Sequence, residues 1–121
     1  MRRRRPKEIT AEALAAYAAR KRALKGMGFA SYEAYLLSPL WASIRQRKWK
    51  EDGKICWGCD EPAASVHHSS YALEVLKGDA LHRLFSVCEA CHKICEFFLG
   101  VKLGPGEATR LLQQRRKERV K

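Results

Sequence analysis

The sequence predicts a small, mainly helical α+β domain held together by a zinc-stapled segment. Two Cys-x-x-Cys pairs, Cys56/Cys59 and Cys88/Cys91, have the spacing of a four-thiolate zinc site. Ahead of them, apolar residues recur at helical spacing behind Ser and Thr caps. Between the pairs, Ser65-Val66-His67-His68 reads as a short strand. A chain of 121 residues makes one compact domain with a modest core, which a metal staple would support.

Residues 1–9 read as a basic N-terminal tail. Arg2, Arg3, Arg4 and Arg5 suit both a disordered tail and an arm that holds phosphates. Residues 10–53 are a helical segment. Thr10 caps a first helix running to about Lys25, with Glu12 favourably placed near its N-terminus. Ala13, Leu14, Tyr17, Ala18 and Leu24 form its apolar stripe, and Gly26 and Gly28 stop it. A second helix spans Ser31 to Leu37. Ser38 caps a third with Pro39 at its first position, and Glu51-Asp52-Gly53 ends it. Trp41, Ile44 and Lys48 share one face of this helix, flanked by Arg45 and Trp49. The tryptophans read as core, and Arg45, Arg47, Lys48 and Lys50 as an exposed basic side.

Residues 54–100 carry the cysteines. Cys56 to Cys59, with Gly58 inside, is a knuckle at a turn between short strands, followed by a Pro62 loop. After the Ser65–His68 strand, Tyr71 to Lys77 makes one or two helical turns closed by Gly78. A helix from Cys88 to about Leu99 places Cys91, Ile94, Cys95 and Phe98 at core spacing, with His92 and Glu96 on one face. Residues 101–121 form a basic C-terminal helix opened by Pro105, with a thin apolar stripe and Arg115, Arg116 and Lys117 near its end.

Lys and Arg number 24 against 13 Asp and Glu, a formal charge of +11, which favours a polyanionic partner: nucleic acid first, an anionic membrane surface second. No apolar run follows the N-terminal arginines, so no signal peptide is visible, and no segment is long and apolar enough to span a bilayer. The expected location is the cytosol, or the nucleus in a eukaryote, where such Cys pairs are metal ligands more often than disulfides.

Four thiolates close a tetrahedral structural zinc site and leave no open position. Cys95 then reads as a small buried apolar residue. With the thiolates committed, His67, His68 and His92 are available for chemistry. His67 and His68 fall on opposite faces of the strand. A second metal between His67 and His92, with His68 polarising a water, would suit phosphodiester hydrolysis, which needs a near-neutral base and a cation. The other readings are surface histidines, or a histidine replacing one cysteine on zinc.

The succession Trp41, basic helix, Cys56-x-x-Cys59, Val66-His67-His68, Tyr71, Gly78, Leu84, Val87-Cys88-x-x-Cys91-His92 resembles the HNH endonuclease family in its four-cysteine zinc form, over roughly Tyr35 to Phe98. The resemblance implies a ββα-metal fold over residues 54–100, flanked by helices. It implies His67 and His92 as ligands of a catalytic divalent ion (Mg²⁺, Mn²⁺, Ni²⁺ or Zn²⁺), with Glu96 where many members have a further His. It implies His68 as general base. One position departs: the family usually carries Asn or Asp before the Leu leading to the second Cys pair, and here His82-Arg83 precedes Leu84.

The implied function is a metal-dependent DNA endonuclease or nickase, bacterial or phage-encoded. Its substrate would be DNA, double-stranded foremost, gripped by Arg2–Arg5, Arg45, Arg47, Lys48, Lys50, Arg115, Arg116 and Lys117. The alternatives are a non-catalytic zinc-stabilised nucleic-acid-binding module and an accessory subunit of a phage or defence nuclease complex. A homodimer or a protein partner is left open.

Overall fold

Local capping chemistry sets the first half of the chain. The computed structural model describes residues 8–98 and 100–119, and the side chains of all of these except 95–97 and 119. Helix α1 (Ala11–Gly26) begins where the Thr10 hydroxyl accepts the Ala13 N–H. Helix α2 (Tyr32–Leu36) begins likewise at Ser31, and α3 (Pro39–Asp52) at Ser38 with Pro39 opening the turn. Gly53, at φ 73°, closes α3 in the left-handed region that glycine adopts without penalty. The Arg2–Arg5 arm lies outside the described residues.

The second half is organised by one antiparallel pair. Strand β2 (Ser65–His68) lies against β3 (Leu84–Val87), with His67 opposite Phe85 and His68 opposite Leu84. Their connection holds a single helical turn, α4 (Leu73–Leu76), and a 3₁₀ turn (Leu81–Arg83). Helix α5 (Glu89–Glu96) follows β3 directly. It stops three residues short of the expected end. Phe97 and Phe98 leave the helix as β4 (Phe97–Phe98) and pair antiparallel with β5 (Val101–Lys102) around Gly100 at φ 79°. Adjacent aromatics favour extended backbone, and the glycine accepts the tight turn. Strand β1 (Glu8–Ile9) adds to β5 in parallel. Glu8 and Ile9 therefore belong to a three-stranded sheet rather than to the tail.

Two apolar clusters form the core. The larger joins Leu24, Tyr35, Trp41 and Ile44 to Val66, Val75, Leu76 and Leu84, so the helical segment and the cysteine segment fold as one body. The buried Tyr35 hydroxyl donates to the Leu76 carbonyl at 2.7 Å, tying α2 to α4. Leu14, expected in the α1 stripe, is 57 % exposed. The smaller cluster gathers Cys56, Val87 and Cys91 with Ala108 and Leu112 of α6 (Pro105–Arg119). The thin stripe of α6 is thus sufficient to dock it.

Lys48 requires a correction. Its place with Trp41 and Ile44 puts it on the buried face of α3, 6 % exposed, not among the exposed cations. Its ammonium pairs with Glu51 at 3.2 Å and Asp52 at 3.5 Å, and Asp52 accepts the Ser86 hydroxyl at 2.8 Å. A buried charge needs such partners; Lys48 therefore tethers α3 to β3 through Asp52 rather than facing a polyanion. Among the described residues, no helix is long and apolar enough to cross a membrane.

Candidate metal centre and histidine cavity

The turn from Cys56 to Cys59 is drawn tight by its backbone. Cys56 donates its N–H to the Glu61 carbonyl at 2.7 Å and accepts the Asp60 N–H at 2.9 Å. Cys88 sits at the start of α5 and Cys91 in its first turn. The four sulfur atoms lie within 4.8 Å of one another, and Cys59 Sγ is 3.6 Å from Cys88 Sγ. Zinc–sulfur bonds of ~2.3 Å at tetrahedral angles put the sulfurs about 3.8 Å apart, so the donor set fits a structural ion of zinc type. Burial alone would raise the Cys56 thiol, but N–H groups of Cys88, Cys59 and Gly58 aimed at it outweigh this and hold it below its ordinary value.

Helix α6 closes over this knuckle. A Cβ on Gly58 would stand 2.6 Å from Leu112 Cδ1 and 3.2 Å from Cys91 Sγ, so the bare glycine is what lets the helix approach. Arg116 donates to the Trp57 carbonyl at 2.6 Å and lies over the Trp57 ring. Burial pushes the Cys91 thiol up, and a hydrogen bond from Arg115 pulls it back. Both arginines, read from the sequence as backbone contacts, are turned onto the knuckle.

The histidines emerge from β2 and α5 beside this centre. His67 and His68 are both buried but point apart, as strand alternation requires. The His67 ring faces His92, with centroids 6.0 Å apart. Two imidazoles on one tetrahedral ion have centroids about 5.3 Å apart, from ~2.1 Å metal–nitrogen bonds and the ring radius, so this pair stands wider than a closed two-histidine site. His67 Nε2 is 3.0 Å from the Thr109 hydroxyl of α6, which itself donates to the Pro105 carbonyl at 2.7 Å. With its proton spent there, Thr109 accepts from His67 Nε2–H, which makes Nδ1 the basic nitrogen of His67. His92 Nδ1 is 3.3 Å from the Ser65 hydroxyl.

His68 turns the other way. Its ring stacks on Trp41 at 4.7 Å, and Nδ1 is 3.2 Å from the Tyr32 hydroxyl. Nε2 is buried with no hydrogen-bond partner. Burial, reinforced by His67, Arg20 and His92, pushes its pKa down to about 3, so the ring is neutral at pH 7. All three histidines line one cavity of about 280 Å³, walled also by Tyr17, Tyr32, Tyr71 and Arg45.

The remaining expected residues divide. Arg45 lines the cavity and Lys50 and Lys117 are exposed. Arg47 is anchored through Nη2 to the Gly78 carbonyl at 3.0 Å. The Glu96 side chain lies outside the described ones. Among the described residues, only the four cysteines make a group of three or more metal-type ligands. His82 is exposed and Arg83 pairs with Glu74 at 3.3 Å, so neither braces His68. Tyr32 and Trp41 hold that ring instead. Tyr32 and Thr109 had no signal in the sequence, since each reaches its histidine from a distant helix. Compared with known proteins, the chain matches no family model, no curated protein and no solved structure.

Proposed function

We propose that the protein is a metal-dependent DNA endonuclease or nickase of the HNH kind, hydrolysing phosphodiester bonds. One observation carries the reading: the strand pair and helix beside the cysteine cluster bring the His67 and His92 rings to 6.0 Å between centres, and His68, its Nε2 unpartnered, lines the same cavity. His67 and His92, with Glu96 by its sequence position, would hold a divalent ion. When bound, that ion supplies a positive charge to offset the one building on the phosphate and the leaving oxygen. The protein's own part is positioning. With Tyr32 accepting the Nδ1 proton of His68, Nε2 would carry the lone pair that takes a proton from an attacking water, the negative charge of an arriving phosphate raising the basicity that burial holds down. Arg45, a lining residue whose guanidinium lies over the Trp49 ring, would supply positive charge beside the phosphate. The four-thiolate centre is the scaffold, and the +11 charge draws the polyanion in.

Supercoiled plasmid incubated with the zinc-loaded chain and Mg²⁺, Mn²⁺ or Ni²⁺ should be nicked. His68→Ala should slow nicking by roughly 10²–10⁴-fold, the usual worth of a general base. Equal rates for parent and variant would sink the mechanism. A non-catalytic DNA-binding zinc module is the second reading, and the outward Arg83–Glu74 pair, standing where the family has its loop brace, favours it. Salt-dependent DNA binding without cleavage by any of these ions would decide for it.

A further inference from the structure

A second concavity, of about 590 Å³, lies between the C-terminal half of α1 and the start of α2, and it shares Tyr17 and Tyr32 with the histidine cavity. Its rim carries Lys21 and Lys25, against one acid, Glu33. Its floor is aromatic: Phe29 and Tyr32 line it, and the Arg20 guanidinium lies 4.7 Å from the Tyr17 ring centre, 3.9 Å from that of Tyr32 and 4.8 Å from that of Tyr71. Arg20 thus stands on the wall between the two concavities, close enough to bias His68. Lys21 and Lys25 are exposed, one helical turn apart, and neither forms an ion pair among the described residues. Read alone, these cations only complement the dipole of α1.

We infer that this groove holds an unpaired stretch of nucleic acid, one strand leading away from the phosphate in the histidine cavity. The inference rests on the proposed nuclease reading for its direction, and on the groove for its chemistry. Cations along a rim track a backbone, while aromatic and guanidinium faces below it reward exposed base faces. A duplex keeps its bases stacked inside and offers such a floor nothing. An acidic peptide would use the lysines but not the rings. The volume falls within the range of cavities that enclose small organic ligands, which suits a nucleotide or two.

The test needs no cleavage. Binding of a fluorescent oligothymidylate to the zinc-loaded full chain is followed by anisotropy, without other divalent ions, over a salt series. Lys21→Gln/Lys25→Gln should weaken binding about tenfold and flatten the log–log salt slope by about 1.4, two contacts at ~0.7 each. A matched pair elsewhere, Lys77→Gln/Lys93→Gln, should change neither. Phe29→Ala should weaken binding with the salt slope unchanged; the lysine pair carries the test if that variant misfolds. Equal losses in the two lysine pairs, or no loss in the first, overturn the inference. So does poly-glutamate competing as well as oligothymidylate, which would make the occupant an acidic protein segment. A chain that binds the strand through this groove yet never nicks DNA would remove the nuclease reading and leave the groove. A chain that nicks normally with no loss in the groove variants would do the reverse.

Discussion

At the scale of single residues, His68 is where burial and chemistry meet. The residue is 3 % exposed, and burial pushes its pKa from 6.5 down to about 3. The unfolded chain therefore takes up a proton in that interval which the native chain refuses. Stability must rise with pH across the interval, being lost as pH falls from about 6.5 towards 3 and flat above it. Urea midpoints measured from pH 4 to 8 should show this slope, and His68→Gln should lessen it. A ring that titrates near 6.5 by NMR would contradict the buried environment. Thr109 belongs to the same scale. By accepting from His67 Nε2–H it fixes which nitrogen is basic, and at the proposed divalent site such a partner would contribute roughly 10- to 100-fold in affinity. Thr109→Val should weaken Ni²⁺ or Mn²⁺ binding by about that factor in calorimetry while the four-cysteine centre keeps its zinc. Unchanged affinity would reduce Thr109 to a packing residue.

At the scale of elements, what was legible in the sequence is what is local. Thr10, Ser31 and Ser38 announce their helices because a cap acts within one turn. The Cys pairs announce their cluster because spacing within each pair already fits one ion. What stayed hidden depends on partners far along the chain. The β1–β5–β4 sheet needs Glu8–Ile9 to meet Val101–Lys102, and nothing near either segment says so. Lys48 showed both signals, a charge and a place on the Trp41–Ile44 face, and the face won because Asp52 and Glu51 stand one turn on. Helix α6 looked loosely held because Leu111 and Leu112 give it only a thin stripe, yet Leu112 and Ala108 land on the buried side of the knuckle. Gly58 makes that landing possible. Gly58→Ala drives a methyl into Leu112 and should cost about 1–3 kcal/mol, the usual penalty of overpacking. Gly58→Ala/Leu112→Ala should then lose less than the sum of the two single changes, since shortening Leu112 relieves the clash. Strict additivity in urea unfolding would mean that α6 does not press on the knuckle.

At the scale of the whole molecule, the two apolar clusters differ in how they are held. The larger one, around Tyr35, Ile44 and Leu76, is sustained by side-chain burial across α1 to α4 and β2–β3. The smaller one has two cysteines among its five buried members, so its apolar surface is scant, and an ion held by the four cysteines would reinforce it. Structural zinc binds its peptides with about 10–16 kcal/mol near neutral pH, comparable with the entire stability of a domain, so removing the ion should be felt unevenly. His92 rides on α5, whose first turn the cysteines anchor. Thr109 rides on α6, which rests on Cys56 and Cys91. The 6.0 Å approach of His67 and His92 thus depends on the thiolate centre, although neither ring belongs to it. Mass spectrometry of the native chain should find one zinc. Chelating it, or replacing Cys59 with Ser, should release amide protection in α5 and α6 by hydrogen exchange while α3 remains protected, and abolish any nicking. Uniform loss of protection across α3 and α5 would show one cooperative unit in place of two unequal ones. Full protection in the metal-free chain would show that the cysteines hold the fold without an ion.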